Sequence, residues 1–418
     1  MNEIIRFMDG RGRIKTWAAK RELKLKILEY ISTKFEYGRF YSEREVNEVI
    51  ENWHTFGDYF MIRRGLIDNW LLSRTKSGTR YWKEERNTYK DIIRLIDVNY
   101  DIGNIKSIFR ISSGFGSDTF YLLSDRGEYI FKGIEQNSMN YPENEPSIIT
   151  ELRNSDIPVS EIYPIRGGDY ILRVERKTYH LQKYIEGKIF SRNTSPEWLL
   201  YESARMLAKI QKAMEKLPQL PTGISQGFFD YMTPQRAKSN YLSTLELAAE
   251  KGDKDIASAI DIKIQMLNAF KDFKFDVGRM VCKNTHGDYK ISQIICGNDK
   301  INAFIDFTSA CVHPICWEII RSYSLADTYC IEGDINIDNF KKYIACFLEY
   351  GSLNSYDLKI MPYVYYYQNL VSDYFSQYYA SGSKNKNILL DEAFFSVKLC
   401  KWLELNVEKL EDALISGF

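Results

Sequence analysis

The hydrophobic period of the chain changes from helical spacing to two near residue 104 and returns to helical spacing near 187, and these two switches constrain the fold more than any other feature. Between them, Ile105 to Ile111, Thr119 to Leu123, Tyr129 to Ile134, Tyr170 to Glu175 and Thr178 to Ile185 are short runs rich in β-branched and aromatic residues. They read as five strands of one sheet. Ser112-Ser113-Gly114-Phe115-Gly116-Ser117-Asp118 reads as a glycine turn, and Glu145 to Leu152 as a helix that ends before Ile157-Pro158-Val159. An antiparallel sheet over 104–186 followed by helices over 187–418 is an α+β arrangement of two lobes.

Ahead of the sheet, Leu23, Leu25, Ile27, Leu28 and Ile31 mark an amphipathic helix over 18–35, which Gly38 breaks. Ser42 with Glu45 forms a capping box for a second helix carrying Val46, Val49, Ile50 and Trp53. A third, short helix carries Phe60, Met61, Ile62, Leu66 and Ile67, and a strand–glycine turn–strand follows over 70–83. Three helices and a hairpin predict a winged-helix-like domain over residues 1–90, joined by 84–103 to the rest. Each part should carry its own apolar core, so that residues 91–418 would stand alone.

The chain is neutral, with 56 basic and 56 acidic residues, which argues against uniform coating of nucleic acid. The balance is uneven: Arg11 to Arg86 contains 17 basic and 11 acidic residues. Arg63, Arg64, Arg74, Lys76 and Arg80 would suit a helix in the major groove and a wing on phosphate. The competing expectation is a small accessory domain that packs on its neighbour. All seven cysteines lie at or beyond Cys282, unlike a disulfide framework, and no apolar run is long enough to span a membrane or serve as a signal peptide. A cytoplasmic protein without membrane partners is expected.

Glycines let a turn bring backbone N–H groups against phosphate oxygens, which makes Ser113, Gly114 and Gly116 candidates for nucleotide contact, although a lone Gly-x-Gly is more often an ordinary hairpin. Lys132 lies inside the third strand, where its ammonium needs a partner, and Glu145 opens the following helix, with Glu143 and Glu151 as rivals. Loop, strand lysine and helix glutamate in that order is how kinase-like folds hold nucleotide phosphates. The strongest local signal is Asn284-Thr285-His286-Gly287-Asp288-Tyr289-Lys290-Ile291-Ser292-Gln293, followed by Ala303-Phe304-Ile305-Asp306-Phe307. Phosphoryl transfer needs an aspartate to accept a hydroxyl proton and oxygen ligands for Mg²⁺, and Asp288 and Asp306 fit those roles.

On these residues the chain from about 100 onward resembles the aminoglycoside phosphotransferase and choline kinase family, with its spore-coat and homoserine kinase-type relatives. The resemblance implies a two-lobed protein-kinase-like fold and transfer of the γ-phosphate of ATP or GTP, with Mg²⁺, to a hydroxyl of a small molecule. By residue-wise carry-over, Asp288 is the catalytic base with His286 beside it, Asp306 a metal ligand, Lys132 the phosphate lysine and Glu145 its partner. Lys183 and Ile185 would offer main-chain groups to adenine, and Glu318 stands where the family has an aspartate that braces the loop. Five residues after the base the family carries asparagine, the second metal ligand, where this chain has Gln293. Its longer arm can still ligate if the backbone sits back by about 1.5 Å. A nucleotide-binding pseudokinase that senses a ligand and binds nucleic acid is the alternative. Phe35 to Asn47, Arg63 to Asp68 and Gly78 to Tyr81 separately resemble a small bacterial domain of unknown function found with winged-helix regulators.

Two further constellations are weaker. Cys311-Val312-His313-Pro314-Ile315-Cys316 has soft ligands but lacks the four that zinc needs, and reads as a packed segment. Tyrosines crowd 363–379, where core packing is the plainer reading beside a cation-binding cage, and Asp327, Glu332 and Asp334 are acids that could face a cationic substrate.

Overall fold

The computed structural model describes residues 3–85, 88–111, 118–134, 141–175, 177–380 and 386–418. Ser113, Gly114 and Gly116 lie outside the described residues. The chain divides into two units, one formed by Met1–Glu135 with Ile162–Tyr184, the other by Gln136–Glu161 with Ile185–Phe418.

In the first unit, α1 (Arg21–Ser32), α2 (Glu43–Asn52) and α3 (Tyr59–Asp68) precede an antiparallel hairpin of β1 (Leu72–Arg74) and β2 (Tyr81–Lys83). Ser42 caps α2 as expected, its side chain accepting from the Glu45 N–H while Glu45 reaches back to the Ser42 N–H. Ile27, Ile31, Val46, Ile50, Ile62 and Leu66 form the core of this module. The stretch read as a joint contains a helix, α4 (Lys90–Asn99). Its Ile96, with Tyr100 and Ile102, packs on one face of the sheet against Ile108, Phe120, Leu122 and Phe131.

That sheet holds β3 (Ile105–Arg110), β4 (Thr119–Ser124), β5 (Glu128–Ile134), β6 (Ile162–Tyr163), β7 (Leu172–Val174) and β8 (Lys177–Lys183). Its order is β3-β4-β5-β8-β6, with β7 also pairing β8, and every pairing is antiparallel. Among the described residues six strands replace the five expected, because β6 has two residues and leaves no periodic trace in the sequence. The opposite face is covered too: Trp82 and Phe40 of the N-terminal module join Phe109, Tyr121 and Ile130 in one apolar cluster. The N-terminal module thus keeps a core of its own and shares this further cluster with the sheet.

The second unit opens with α5 (Glu145–Asn154) and continues through β9 (Lys188–Ile189) and α6 (Glu197–Met214) to α7 (Gln226–Tyr231), α8 (Pro234–Lys251) and α9 (Lys254–Met266). Four short strands follow, β10 (Cys282–Thr285), β11 (Ile294–Cys296), β12 (Ile301–Phe304) and β13 (Cys311–Pro314), then α10 (Ile315–Ala326), α11 (Ile337–Leu348), α12 (Ser355–Leu370), α13 (Tyr374–Ala380) and α14 (Lys386–Ile415). β10 pairs β13, and β12-β11-β9 form a second small sheet. These two ribbons hold the loops that matter below. Tyr365, Tyr366 and Tyr367 of α12 are buried, which accounts for the central part of the tyrosine-rich run as core. Among the described residues no helix is long and apolar enough to cross a membrane.

Candidate active site

β10 delivers the chain to Gly287, whose φ of 79° lies in the left-handed region. A Cβ there would meet the Ser309 carbonyl oxygen at 1.9 Å, so only glycine fits the turn that presents Asp288. β12 likewise delivers Asp306, itself left-handed at φ 68°, a conformation that costs a non-glycine residue about 1–3 kcal/mol and that clusters at functional sites. Gln293 ends a short 3-10 turn, Ile291–Gln293, directly before β11.

The three side chains meet. Gln293 Nε2 donates to Asp288 Oδ2 at 3.1 Å and to Asp306 Oδ2 at 3.4 Å, and Asp306 Oδ1 accepts from Thr308 Oγ1 at 2.9 Å. Turning the terminal amide over would put an acceptor oxygen in place of Nε2, so the side chain can serve either two carboxylates or a cation between them. Two carboxylates and an amide are hard oxygen donors that suit Mg²⁺, which completes its shell with waters and substrate phosphates. The donor set therefore fits the metal implied by the resemblance. Among the described residues no group of three His, Cys, Asp or Glu side chains is arranged to hold a metal unaided.

Asp288 is also held by two cations. Arg321 Nη2 reaches Oδ1 at 2.6 Å, and Lys290 Nζ reaches Oδ2 at 2.8 Å. Burial alone would raise this carboxyl, but the Lys290 ammonium and the Arg321 guanidinium outweigh it and hold Asp288 well below the usual carboxylate range. Neither cation was singled out in the sequence. Arg321 was findable, because it follows Glu318 by three residues on a helix and so shares its face.

Glu318 is fully buried and accepts from the Gly287 N–H at 2.8 Å, the Tyr289 N–H at 3.4 Å and the Thr285 hydroxyl. It fixes the backbone on both sides of Asp288, as expected of the bracing position. His286 is fully buried as well: its Nε2 lies 3.0 Å from the Ile305 carbonyl oxygen and its Nδ1 accepts from the Asp288 N–H at 3.4 Å. The imidazole thus ties the loop of Asp288 to the strand end of Asp306. Tyr289 anchors the loop from beneath by donating to the Ser203 carbonyl at 2.8 Å.

Of the three candidate glutamates, Glu145 is buried and accepts from the Phe307 N–H at 3.0 Å, next to Asp306. Glu151 pairs with Lys216 at 2.9 Å. Lys132 and Lys183 belong to the first unit and Ile185 to the second, the division falling between Tyr184 and Ile185. His313 Nδ1 accepts from the Ile224 N–H at 2.9 Å, and burial pushes its pKa down to about 4. Asp327 accepts from Tyr323 Oη at 2.6 Å, and Glu332 pairs with Lys398 at 2.7 Å, so both acids are engaged within the chain. A cavity of about 1130 Å³ lies among Trp198, Tyr201, Arg205, Lys209, Lys300 and Lys342, and none of the candidate residues lines it.

In the N-terminal module, Arg63 is turned onto Glu43 at 2.9 Å and Asn47 at 2.7 Å, and Arg80 onto Glu128 at 2.5 Å. Both side chains are only 13% exposed. Arg63 and Arg80, read from the sequence as phosphate contacts, are thus engaged with carboxylates within the chain.

Residues 107–342, more than half of the chain, match the family model described as phosphotransferase enzyme family (APH). The chain belongs to the phosphotransferase enzyme family. Residues 13–83 of this phosphotransferase match a second model, described as an uncharacterized protein conserved in bacteria (DUF2087). A homoserine kinase of Methylobacillus flagellatus is 20% identical over 239 residues, which cover 57% of this chain and 68% of the relative. Among solved structures, a microcompartment-associated aminopropanol kinase aligns with a TM-score of 0.53 at 13% identity, over 77% of this chain and 98% of that one. An amicoumacin kinase in complex with AMP-PNP, Ca²⁺ and Ami aligns at 0.50 and 11%, over 78% and 93%. An aminoglycoside phosphotransferase from Alicyclobacillus acidocaldarius also aligns at 0.50, with 13% identity, over 75% and 94%. At these identities the likeness establishes the fold, which is kinase-like with an antiparallel N-lobe sheet and a helical C-terminal region, preceded by a small helical domain.

Proposed function

We propose that this phosphotransferase moves the γ-phosphoryl group of ATP or GTP to a hydroxyl of a small molecule, with Mg²⁺. The observation that carries the reading is the meeting of Asp288, Gln293 and Asp306 on loops braced by Glu318. Asp288 accepts the hydroxyl proton as the new P–O bond forms and the bond to the β-phosphate oxygen breaks, releasing the nucleoside diphosphate. With Arg321 and Lys290 beside it, Asp288 is ionised but weakly basic, which suits a loose transition state that asks more of positioning than of base strength. Asp306 and Gln293 would hold the cation, which when bound offsets the charge of the β and γ phosphates.

His286 and Glu318 act through the loop backbone and are positioning residues. Lys132 is assigned to the α and β phosphates, Ser113, Gly114 and Gly116 to the phosphates as well, and the main chain at Lys183 and Ile185 to the base. The relatives named above act on small molecules, which supports an acceptor of that size. One observation favours a second reading, a nucleotide-binding regulator without turnover: the Gln293 amide donates to both carboxylates across the place a cation would take. Nucleotide consumption measured with Mg²⁺ across aminoglycosides, choline, ethanolamine, aminopropanol, homoserine, sugars and nucleosides separates the two. Acceptor-dependent turnover is expected, and nucleotide binding without turnover on any acceptor would favour the regulator.

A further inference from the structure

The sheet of the first unit presents Lys132 on one face, and the register places the neighbours on that face. Thr119 stands opposite Lys132 and Tyr121 opposite Ile130, while Phe109 stands opposite Tyr121 and Gln182 opposite Ile130. Side chains two residues apart on a strand share a face, so Glu128, Ile130 and Lys132 of β5 line it together with Phe109 and Tyr121. This is the face on which the N-terminal module sits, since α4 covers the other.

The docking is specific. Phe40 meets Phe109 and Tyr121 edge-on, both at 5.1 Å between ring centroids, and Trp82 lies 5.2 Å from Tyr121. Trp82 Nε1 donates to Ser107 Oγ on β3 at 2.9 Å. The Arg80 guanidinium lies over the rings of Phe40 at 4.9 Å and Tyr184 at 4.6 Å while pairing with Glu128, which also accepts from Tyr121 Oη at 2.7 Å. Tyr184 is the residue between Lys183 and Ile185, and its N–H donates to the Glu128 carbonyl at 3.0 Å. Arg80 thus grips the residue that follows β8 by its ring, while the partner of Arg80 holds the same residue by its backbone.

We infer that the N-terminal module is a positioning element of the donor-nucleotide site: Phe40, Arg80 and Trp82 fix the end of β8 and the half of the Lys132 face next to it. The inference rests on the proposed assignment of Lys132, Lys183 and Ile185 to the nucleotide, and it gives the module a role in the phosphotransferase itself rather than on nucleic acid. A planar guanidinium stacked on a ring and paired to a carboxylate is not replaceable by lysine, whose ammonium can pair but cannot stack.

The test uses the full-length chain with Arg80→Ala, Arg80→Lys, Glu128→Gln and, as a control on the exposed side of α3, Arg64→Ala. Amide hydrogen exchange over residues 180–186 is followed without nucleotide, and affinity for a fluorescent N-methylanthraniloyl ATP is measured separately. Arg80→Ala is expected to speed exchange in that segment tenfold or more and to weaken nucleotide binding five- to twenty-fold, with Arg80→Lys in between, Glu128→Gln shifting both in the same direction and Arg64→Ala unchanged. Unchanged exchange and affinity in a folded Arg80→Ala chain would overturn the inference, as would tighter nucleotide binding. Should Arg80→Ala unfold, Glu128→Gln decides by the same readouts. A wild-type chain that binds no nucleotide would sink the donor-site reading, while the exchange arm would still show whether the module holds β8.

Discussion

Asp288 carries the proposed chemistry at the scale of single residues, and its two cationic partners make a prediction about pH. Its carboxyl is depressed in the folded chain, so the pairing contributes stability in full above the ordinary value of 3.8 and loses it as the pH falls through the lowered one. Asp288 should therefore put no acidic limb on the rate near neutrality. Arg321→Gln removes one of the two opposing cations and lets burial count for more, which should carry an acidic limb in kcat/KM upward by about one unit or more. A pH profile superimposable on wild type would show that Arg321 does not tune the base. Gln293 offers a second residue-scale experiment: Gln293→Asn shortens the arm that reaches both carboxylates and should raise the Mg²⁺ concentration needed for half-maximal rate several-fold. A restored or faster rate would mean that glutamine is a lesion. Asp288, Asp306 and Gln293 were legible because they sit in a short motif with its chemistry attached. Lys290 was not, because its role depends on loops meeting in space, and Arg321 was marked only by its helical spacing from Glu318.

Among the elements, the α12–α13 connection is pinned by a buried lysine. Lys263 of α9 is wholly buried, donating from Nζ to the Asn369 carbonyl and to Ser372 Oγ, both at 2.9 Å. Burial lowers its pKa from 10.5 to about 8. The unfolded chain then binds more protons than the folded one between those values, so stability should rise as the pH climbs from about 8 to 10.5. Lys263→Met should abolish that rise in urea melts taken at pH 8 and pH 10, and an equal slope in wild type and variant would place the titration elsewhere. The capping box of α2 was readable from Ser42 and Glu45 alone, since its hydrogen bonds are local. α4 was passed over although Ile92, Ile93 and Ile96 carry helical spacing, because charged residues interrupt them and no cap marks the start. β6 could not be seen, as two residues show no period.

For the whole molecule, the first 83 residues share an apolar cluster with the sheet that carries Lys132. Removing them would bare Phe109, Tyr121 and Ile130, each worth about 1.5–3 kcal/mol when buried. A chain beginning at residue 84 should be aggregated or several degrees less stable than the full chain by thermal unfolding; a monodisperse truncation with an unchanged midpoint would contradict the shared core. The sequence showed three helices and a hairpin, but not that the hairpin faces the sheet, because Arg63 and Arg80 look the same in sequence whether they meet phosphate or the carboxylates of Glu43 and Glu128. The proposed chemistry is phosphoryl transfer at Asp288 and Asp306. It is tested most directly by nucleotide turnover, with Mg²⁺ and the best acceptor of the panel, in wild type and in folded Asp306→Asn and Asp288→Asn chains. Asp306→Asn should abolish turnover, and Asp288→Asn should lower it by about 10²–10⁴-fold while nucleotide binding persists. Wild-type rates in both variants would contradict it.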